Sequence, residues 1–255
     1  MPISAKAFQR WLQGIAPETS ISDVCRVSGI KRTTLAQQLV RGKVAESTVV
    51  SISRAYNVNP LTALAAFETY IPLTAEEAPA PTRSELVSQI ATADLLRALL
   101  ARSVGTPAGA EPDGQPGAVA AHGAPPLEPP PHATSVKNWV EAIDDGELRH
   151  RVSEATGIAP QNYSAQLTAN RLAPELAVAT SLAAGVGPAN GLVATGLVTE
   201  AEAGWAPGAR EAALAGLSDG ELTTLAGERL QALGRALRRH EHDQEQTEKI
   251  WENLG

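Results

Sequence analysis

Two clusters of polar side chains have the composition, though not the arrangement, of a catalytic or metal site. His240, His242 and Asp243 lie in the polar run HEHDQEQTEK, where metal binding is one reading, but such runs are usually the solvated face of a helix. Asp144 and Asp145 lie close to Glu147 in a pattern that indicates a turn. The sequence shows no phosphate-binding loop, Cys/His metal spacing or nucleophile motif. We therefore expect no enzymatic activity, catalytic residue, metal or cofactor.

Charge is distributed unevenly along the chain, and this bears on its partners. The net charge of −7 argues by itself against a nucleic-acid partner. Residues 1–70, however, hold eight Lys and Arg against four Asp and Glu, a balance of +4, whereas 136–199 balance to −2 and 200–255 to −5. Attraction to phosphate supplies nearly all non-specific DNA affinity, so only the first segment is suited to it.

Composition indicates a helical protein without disulfide bonds. Ala, Leu and Val are abundant and aromatic residues make up only 4%, which favours helices over sheets. Cys25 is the single cysteine, so no internal disulfide forms. The N-terminus lacks the continuous apolar stretch of a signal peptide, and no apolar run is long enough to span a bilayer. We expect a cytoplasmic protein with no membrane partner.

An internal repeat sets the predicted architecture. A shift of 128 residues aligns Trp11 with Trp139 and continues without a gap to Ala66 on Ala194, and 15 of the 56 pairs are identical. Most identical pairs are apolar or turn residues, so the core and the turns repeat while the surface does not. A weaker similarity, at a shift of 127, aligns 83–102 with 210–229.

Turn residues mark the same helix ends in both copies. Gly42 aligns with Asn170, and Asn57 aligns with Gly185. Gly and Asn are the residues that best tolerate the left-handed conformation after a helix, so we predict that conformation at all four positions. Asn59 and Gly187 are predicted N-caps, each followed by a proline in the first turn of a fifth helix.

The stretch from Ile21 to Val40 has the layout of a helix-turn-helix. Cys25 is small where the helices cross, Gly29 makes the turn, and Val24 and Leu35 belong to the shared core. The second copy repeats this layout around Gly157. The runs GIKRTTLAQQLVRGKVAESTVVSISRAYNVNPLTAL and GIAPQNYSAQLTANRLAPELAVATSLAAGVGPANGL resemble the Xre/λ-repressor-like family, especially phage-type immunity repressors of high-GC (actinobacterial) hosts.

The resemblance implies five helices per copy, with the third helix in the major groove of double-stranded operator DNA. The face that would meet base edges in the first copy holds Lys31, Arg32, Thr33, Ala36, Gln37 and Val40. Phosphate contacts would come from Ser22, Arg41 and Lys43. The corresponding residues of the second copy are Gln161, Ser164, Ala165 and Thr168, with Arg171 for phosphate. Gln38 and Gln166 lean toward the interior, which favours a structural role.

The second copy departs from the first where contact with DNA would matter. Ala159 and Pro160 stand where the first copy has Lys31 and Arg32, and Ala169 replaces Arg41.

The remaining segments complete an all-α prediction of two tandem five-helix λ-repressor-like domains with helical extensions. Residues 104–135 are rich in Pro, Gly and Ala and hold no Lys or Arg, which is typical of a disordered linker. The predicted organisation is a helix-turn-helix domain over 1–78, a helical arm over 79–103, this linker, a second such domain over 136–203 and a C-terminal extension over 204–255.

Ser218 and Glu221 form a capping box that predicts a long C-terminal helix. Leucines from Leu222 to Leu237 lie along one of its sides. Their imperfect heptad spacing favours packing against the second domain over self-association with another chain. Trp251, beyond the polar run, is a candidate docking point at the end of this helix.

These patterns predict a sequence-specific DNA-binding repressor of phage or prophage origin. The alternative is a protein-interaction regulator of the antitoxin or anti-repressor type, in which one or both copies bind a protein partner. The acidic second copy is the feature that favours the alternative.

Overall fold

The protein is all-α apart from one short strand pair. In a computed structural model, residues 3–75, 78–104 and 126–252 are described, and most of them lie in helices. The chain divides into two compact units. The first comprises Met1–Gln89 and Pro129–Ala209, and the second Ile90–Glu128 and Arg210–Gly255. Each unit is therefore assembled from two stretches that are distant in sequence.

The first repeat folds into five helices and a closing 3₁₀ helix. They are α1 (Ala5–Ile15), α2 (Ile21–Ser28), α3 (Arg32–Val40), α4 (Glu46–Ala55), α5 (Pro60–Ala65) and the 3₁₀ helix Glu68–Thr74. Two short antiparallel strands, β1 (Ile3–Ser4) and β2 (Lys43–Val44), tie the start of the chain to the loop after α3. This pairing holds the backbone at Lys43–Val44, a few residues after the end of α3.

The segment after the first repeat divides between the two units. It contains α6 (Arg83–Ser88) and α7 (Thr92–Val104). α6 belongs to the first unit and α7 to the second. The predicted single arm over 79–103 is therefore two helices with different packing partners.

The second repeat reproduces the helices of the first. Its helices are α8 (Ser135–Ile143), α9 (Leu148–Thr156), α10 (Pro160–Thr168), α11 (Pro174–Ala183) and α12 (Asn190–Ala194). α10 and α11 match α3 and α4 at both ends with the offset of 128. One predicted boundary was wrong: the fifth helix starts at Asn190 with Ala189 as its N-cap, so Gly187 and Pro188 precede it.

The predicted left-handed residues are confirmed. Gly42 and Asn170 have φ of 73° and 49°, and Asn57 and Gly185 have φ of 56° and 70°. Gly29 and Gly157 end the second helix of each repeat at φ 70° and 71°. A Cβ at either of these two glycines meets nothing within 4 Å, so a left-handed backbone, not a close crossing of helices, is what requires glycine there.

The two repeats share one compact unit instead of forming the two separate domains expected from the sequence. A single buried cluster runs through both, from Phe8, Leu35 and Ile52 to Trp139 and Leu192. The apolar faces of both repeats therefore contribute to one continuous core.

The contacts that join the repeats are reciprocal. The 3₁₀ helix after α5 packs against α11 of the second repeat. Residues 197–202, which follow α12, lie against the end of α4: the Arg54 guanidinium donates to both carboxylate oxygens of Glu202, at 2.6 and 2.7 Å, and to the Leu197 carbonyl at 3.2 Å. The segments 68–74 and 196–202 differ by the repeat offset of 128. Corresponding segments, a 3₁₀ helix in the first repeat and turns in the second, therefore each contact the other repeat.

Part of the predicted disordered linker, 104–135, is ordered. Residues 105–125 lie outside the described residues, but 129–134 belong to the first unit and pack against the second repeat. The His132 carbonyl accepts from the Asn170 side chain at 3.1 Å. A Cβ on Gly196 would overlap the ring of Pro131, so the proline ring rests directly on that glycine. Composition predicted disorder here because the segment holds few large apolar side chains. A proline ring that packs on a glycine can order the backbone without them.

The second unit is built on one long helix that packs along α7. α13 (Ala209–Ala215) and α14 (Asp219–Glu252) follow the second repeat, and α14 packs along α7. Arg102 donates to the carbonyls of Leu214 and Leu217 at 3.0 and 2.6 Å, which caps the end of α13. The predicted Ser218–Glu221 capping box is confirmed. Within the second unit, α14 therefore packs on the arm helix α7, which the sequence did not predict.

A buried carboxylate connects α6 to the second repeat. Glu85 is fully buried. Its Oε1 accepts from Trp139 Nε1 at 3.1 Å and Asn190 Nδ2 at 2.9 Å, and its Oε2 accepts from the Thr82 amide at 3.0 Å. Asn190 in turn accepts from Trp205 Nε1 at 3.0 Å. A buried charge is tolerated when its oxygens are satisfied in this way.

Replacement of Glu85 by alanine is expected to destabilise the whole first unit. The change leaves the buried donors of Trp139 and Asn190 without an acceptor, at a cost of about 1–3 kcal/mol for each unsatisfied group. Urea unfolding followed by tryptophan fluorescence and far-UV circular dichroism measures this loss. Ser84→Ala, at an exposed neighbour on the same helix, is the control. Equal stability of the two variants would show that the network contributes little.

Candidate nucleic-acid interface

The outer face of α3 is polar and exposed to solvent. Leu35 is fully buried and Leu39 half-buried, and they anchor the inner side of the helix. Lys31, Arg32, Thr33, Ala36 and Gln37 are all exposed, and Val40 is 89% exposed. The residues predicted to read bases in the first repeat therefore share one accessible face.

The cations around α3 make no ion pair with the residues that the structure describes. Lys31, Arg32, Arg41 and Lys43 are exposed, and within the described residues none of them has an ion-pair partner. Lys31 is also the N-cap of α3, and its side chain does not cap the helix. The positive end of the helix dipole and two cations thus coincide at the start of α3.

The loop after α3 is fixed by a side chain that both repeats contain. Gln38 Oε1 accepts from the Ala45 amide at 3.3 Å and from Thr48 Oγ1 at 3.0 Å. In the second repeat, Gln166 Oε1 accepts from the Ala173 amide at 2.9 Å. The structural role predicted for both glutamines is confirmed. In the first repeat, this bond and the β1–β2 pair hold the backbone of Arg41–Lys43 while both charged side chains extend into solvent.

Ser22 differs from the other predicted phosphate ligands because it is half-buried at the start of α2. The helix is capped by Ser20, whose hydroxyl accepts from the Asp23 amide at 3.1 Å. Hydrogen bonds from Ser20 and then Arg26 lower the pKa of Asp23. Arg26 therefore differs from the cations of α3, since it already has an ion-pair partner at 2.9 Å.

The matching face of the second repeat is weaker in both charge and donors. Gln161 and Arg171 are exposed, but Ser164 is half-buried, and the hydroxyl of exposed Thr168 donates to the Ser164 carbonyl at 3.0 Å. Pro160 stands at the first position of α10, with Ala159 as the N-cap. Among the predicted ligands of this repeat, Arg171 supplies the one cation.

Other cations of the second repeat are paired with acids. Arg149 lies 3.8 Å from Asp144, and Arg151 lies 3.0 Å from Asp145. Lys137 and His150 likewise lie beside glutamates, at 3.7 and 3.6 Å. The carboxylates that the sequence placed in a turn, Asp144 and Asp145, thus act as ion-pair partners. The two repeats share a backbone but differ in the charge they present to a polyanion.

Other kinds of site receive no support from the described part of the chain. No group of three or more His, Cys, Asp or Glu residues there could hold a metal ion. None of the described helices combines the length and apolar character needed to cross a membrane. Comparisons with protein-family models, curated proteins and solved structures found no match to this chain.

The first residue of α4 is a buried acid whose pKa is raised. Glu46 begins α4, directly after the loop that Gln38 holds, and its Oε1 accepts from the Tyr70 hydroxyl at 2.9 Å. Burial raises the pKa of the Glu46 carboxyl, while the bond from Tyr70 opposes that rise. Burial also raises the pKa of the Tyr70 hydroxyl. No pattern in the sequence signals this pair.

Glu46→Gln is expected to become more stable relative to the wild type as pH rises from about 4 to 7. The raised pKa means that the folded state binds the Glu46 proton more tightly than the unfolded state. The associated stability is complete below the unfolded pKa and is lost as pH rises through the folded pKa. Urea unfolding at each pH measures the difference. Tyr70→Phe removes the opposing hydrogen bond and should steepen the pH dependence. A difference that runs the other way with pH would show that the start of α4 stabilises the carboxylate.

Proposed function

We propose that this chain is a sequence-specific DNA-binding protein that acts as a transcriptional repressor of the phage or prophage type. In this proposal, α2–α3 and α9–α10 are tandem helix-turn-helix motifs of the λ-repressor-like kind. The observation that carries it is the outer face of α3: exposed Arg32 and Gln37 lie among cations that have no ion-pair partner in the described part of the chain. Arg and Gln form bidentate hydrogen bonds with guanine and adenine edges.

The surrounding cations suit the sugar-phosphate backbone. Arg41 and Lys43 extend from a loop that is fixed on both sides, so their contacts would set the register of α3 in the groove. Val40, almost fully exposed at the end of the same face, would contact a thymine methyl group. An apolar side chain so exposed costs the isolated protein free energy that burial against a base recovers.

The second repeat would contribute less DNA affinity than the first, but it would bind at a fixed distance and orientation from α3. Because α3 and α10 belong to one unit with a continuous core, their separation and relative orientation do not vary as they would across a flexible tether. The site they read would consist of two different half-sites with strict spacing. Repression follows when such a site overlaps a promoter.

A protein-interaction regulator is the second candidate, and one observation favours it. The cations near α9 are already paired with Asp144 and Asp145, so this repeat offers little to DNA phosphates. In that case, the exposed polar face of α10 would bind a protein partner.

Arg32→Ala and Gln37→Ala are each expected to cost about 1–3 kcal/mol on the preferred sequence and little on other DNA. Lys43→Ala should weaken binding to all sequences alike and reduce the salt dependence by about one phosphate contact. The probe is duplex DNA enriched from a random library by the full chain, with binding measured by fluorescence anisotropy. Arg26→Ala, which removes an arginine already paired with Asp23, is the matched control. Failure to enrich any sequence, or unchanged binding by Arg32→Ala and Gln37→Ala, would overturn the proposal.

Insertion of five base pairs between the two halves of the enriched site is expected to abolish protection of the half bound by the second repeat. Five base pairs rotate one half-site to the opposite face of the duplex, and one rigid unit cannot follow. Footprinting and affinity are measured together. Full protection of both halves after insertion would require a soft connection between the repeats. Protection of only one half before and after insertion would show that the second repeat does not bind DNA.

A further inference from the structure

The short strand pair brings the start of α1 beside the loop that follows α3. In this pair, Ser4 lies opposite Lys43. The neighbouring pair, Ile3 and Val44, is buried. Because successive side chains of a strand alternate between its two sides, Ser4 and Lys43 lie together on the exposed side. Directly opposite residues have Cβ atoms about 4.5–5.5 Å apart, so α1, which Ser4 caps, begins next to Lys43.

α1 carries two cations on the face that points away from the core. Phe8 and Leu12 are buried and hold the inner side of the helix. Lys6 and Arg10 are exposed, and their spacing of four residues places them one turn apart on one face. Neither makes an ion pair or a side-chain hydrogen bond with the residues that the structure describes. α1 contains no acid that could offset their charge.

Acids are absent from both stretches of chain that the strand pair joins. Residues 1–17 and 24–45 together hold seven Lys and Arg and no Asp or Glu. The acids between these stretches are Glu18 and Asp23, and Asp23 is already paired with Arg26. The cations of α1 therefore continue those of α3 and its loop, without a carboxylate from either stretch among them.

We propose that Lys6 and Arg10 bind the phosphate backbone of DNA, next to the phosphates that Arg41 and Lys43 would hold. This inference rests on the proposed binding of α3 in the major groove, which lays the loop after α3 against the backbone. The strand pair then places the first turns of α1 at the same backbone.

The spacing of the two cations suits one DNA strand. Phosphates of a strand follow one another at about 3.4 Å of axial rise, and Lys6 and Arg10 are separated by about 6 Å along α1 at 1.5 Å per residue. Each can therefore meet a different phosphate. Such contacts read no sequence, but they lengthen the protected site and add affinity that salt weakens.

The second repeat has no equivalent of this extension. At the offset of 128, Lys6 and Arg10 correspond to Thr134 and Asn138. Asn138 is buried, and its side chain donates to Thr134 Oγ1 at 2.7 Å. The neighbouring cation, Lys137, lies 3.7 Å from an acid one turn away. The protected site should therefore be longer on the side of the first repeat.

Lys6→Ala and Arg10→Ala are each expected to remove one phosphate contact and keep the sequence preference. The ratio of wild-type to variant affinity should fall about 3.5-fold for each single variant between about 50 and 200 mM salt, and about 12-fold for the double variant, since one contact contributes about 0.9 to the slope of log affinity against log salt. Fluorescence anisotropy of the full chain on the enriched duplex measures this ratio. Alanine favours a helix, and far-UV circular dichroism checks the fold.

Two control variants separate a phosphate contact from a general change in charge. Lys6→Arg keeps the cation and should bind like the wild type. Lys137→Ala removes a lysine that is already paired, so its affinity ratio should stay constant with salt.

Neutral methylphosphonates, placed at one phosphate at a time, locate the contact. The wild type should lose affinity at the phosphate that Lys6 meets, and Lys6→Ala should lose nothing further there. Additive losses at every position, or an unchanged salt slope in both alanine variants, would overturn this inference while the wild type still binds its duplex and the proposed function stands. A wild type that enriches no duplex would overturn the proposed function and this contact with it.

Discussion

The first unit depends on satisfying one carboxylate that lies out of contact with water. Glu85 reaches that position because α6 is capped by Thr82, and its other oxygen must then find donors inside the protein. Trp139 and Asn190 supply them from α8 and α12. The Asn190 side chain accepts a hydrogen bond from the Trp205 indole. The Trp205 amide in turn donates to the Glu200 carbonyl. Glu200 begins the turn from which Glu202 reaches Arg54. A continuous set of polar contacts therefore runs from α6, through the second repeat, to Arg54 of the first repeat.

This constraint explains why the repeats diverge in their surroundings although their helices coincide. Trp11 and Trp139 occupy equivalent positions, yet Trp139 is fully buried and bonded to Glu85, whereas Trp11 is half-exposed and packs on Phe8 and Phe67. Arg54 has Leu182 as its equivalent, and that leucine is 49% exposed. Equivalent positions of the two repeats therefore lie on matching helices but make different contacts. Of the two repeats, only the second bonds to Glu85, and the first presents more of its cations to solvent.

The sequence was informative where structure depends on neighbours within a few residues. The repeat, the left-handed positions Gly42 and Asn170, and the inward Gln38 all follow from local backbone demands, and the structure agrees with each. The exposed face of α3 was likewise predictable from helical spacing. The joining of the repeats was not, because Glu85 meets Asn190, and Arg54 meets Glu202, across more than one hundred residues. The ordered segment near Pro131 was missed because composition alone does not show what a proline ring packs on.

The division of each unit into two distant stretches has a consequence for folding during synthesis. The first unit begins with Met1–Gln89 but is completed only by Pro129–Ala209. When α6 leaves the ribosome, the indole and amide that will bond to Glu85 have not yet been made. The nascent chain must keep that carboxylate hydrated until about 120 more residues, as far as Trp205, have been added, and then close a large loop in one step. High contact order of this kind slows folding, so the apolar surface that the first repeat buries against the second stays exposed until the second repeat has been made.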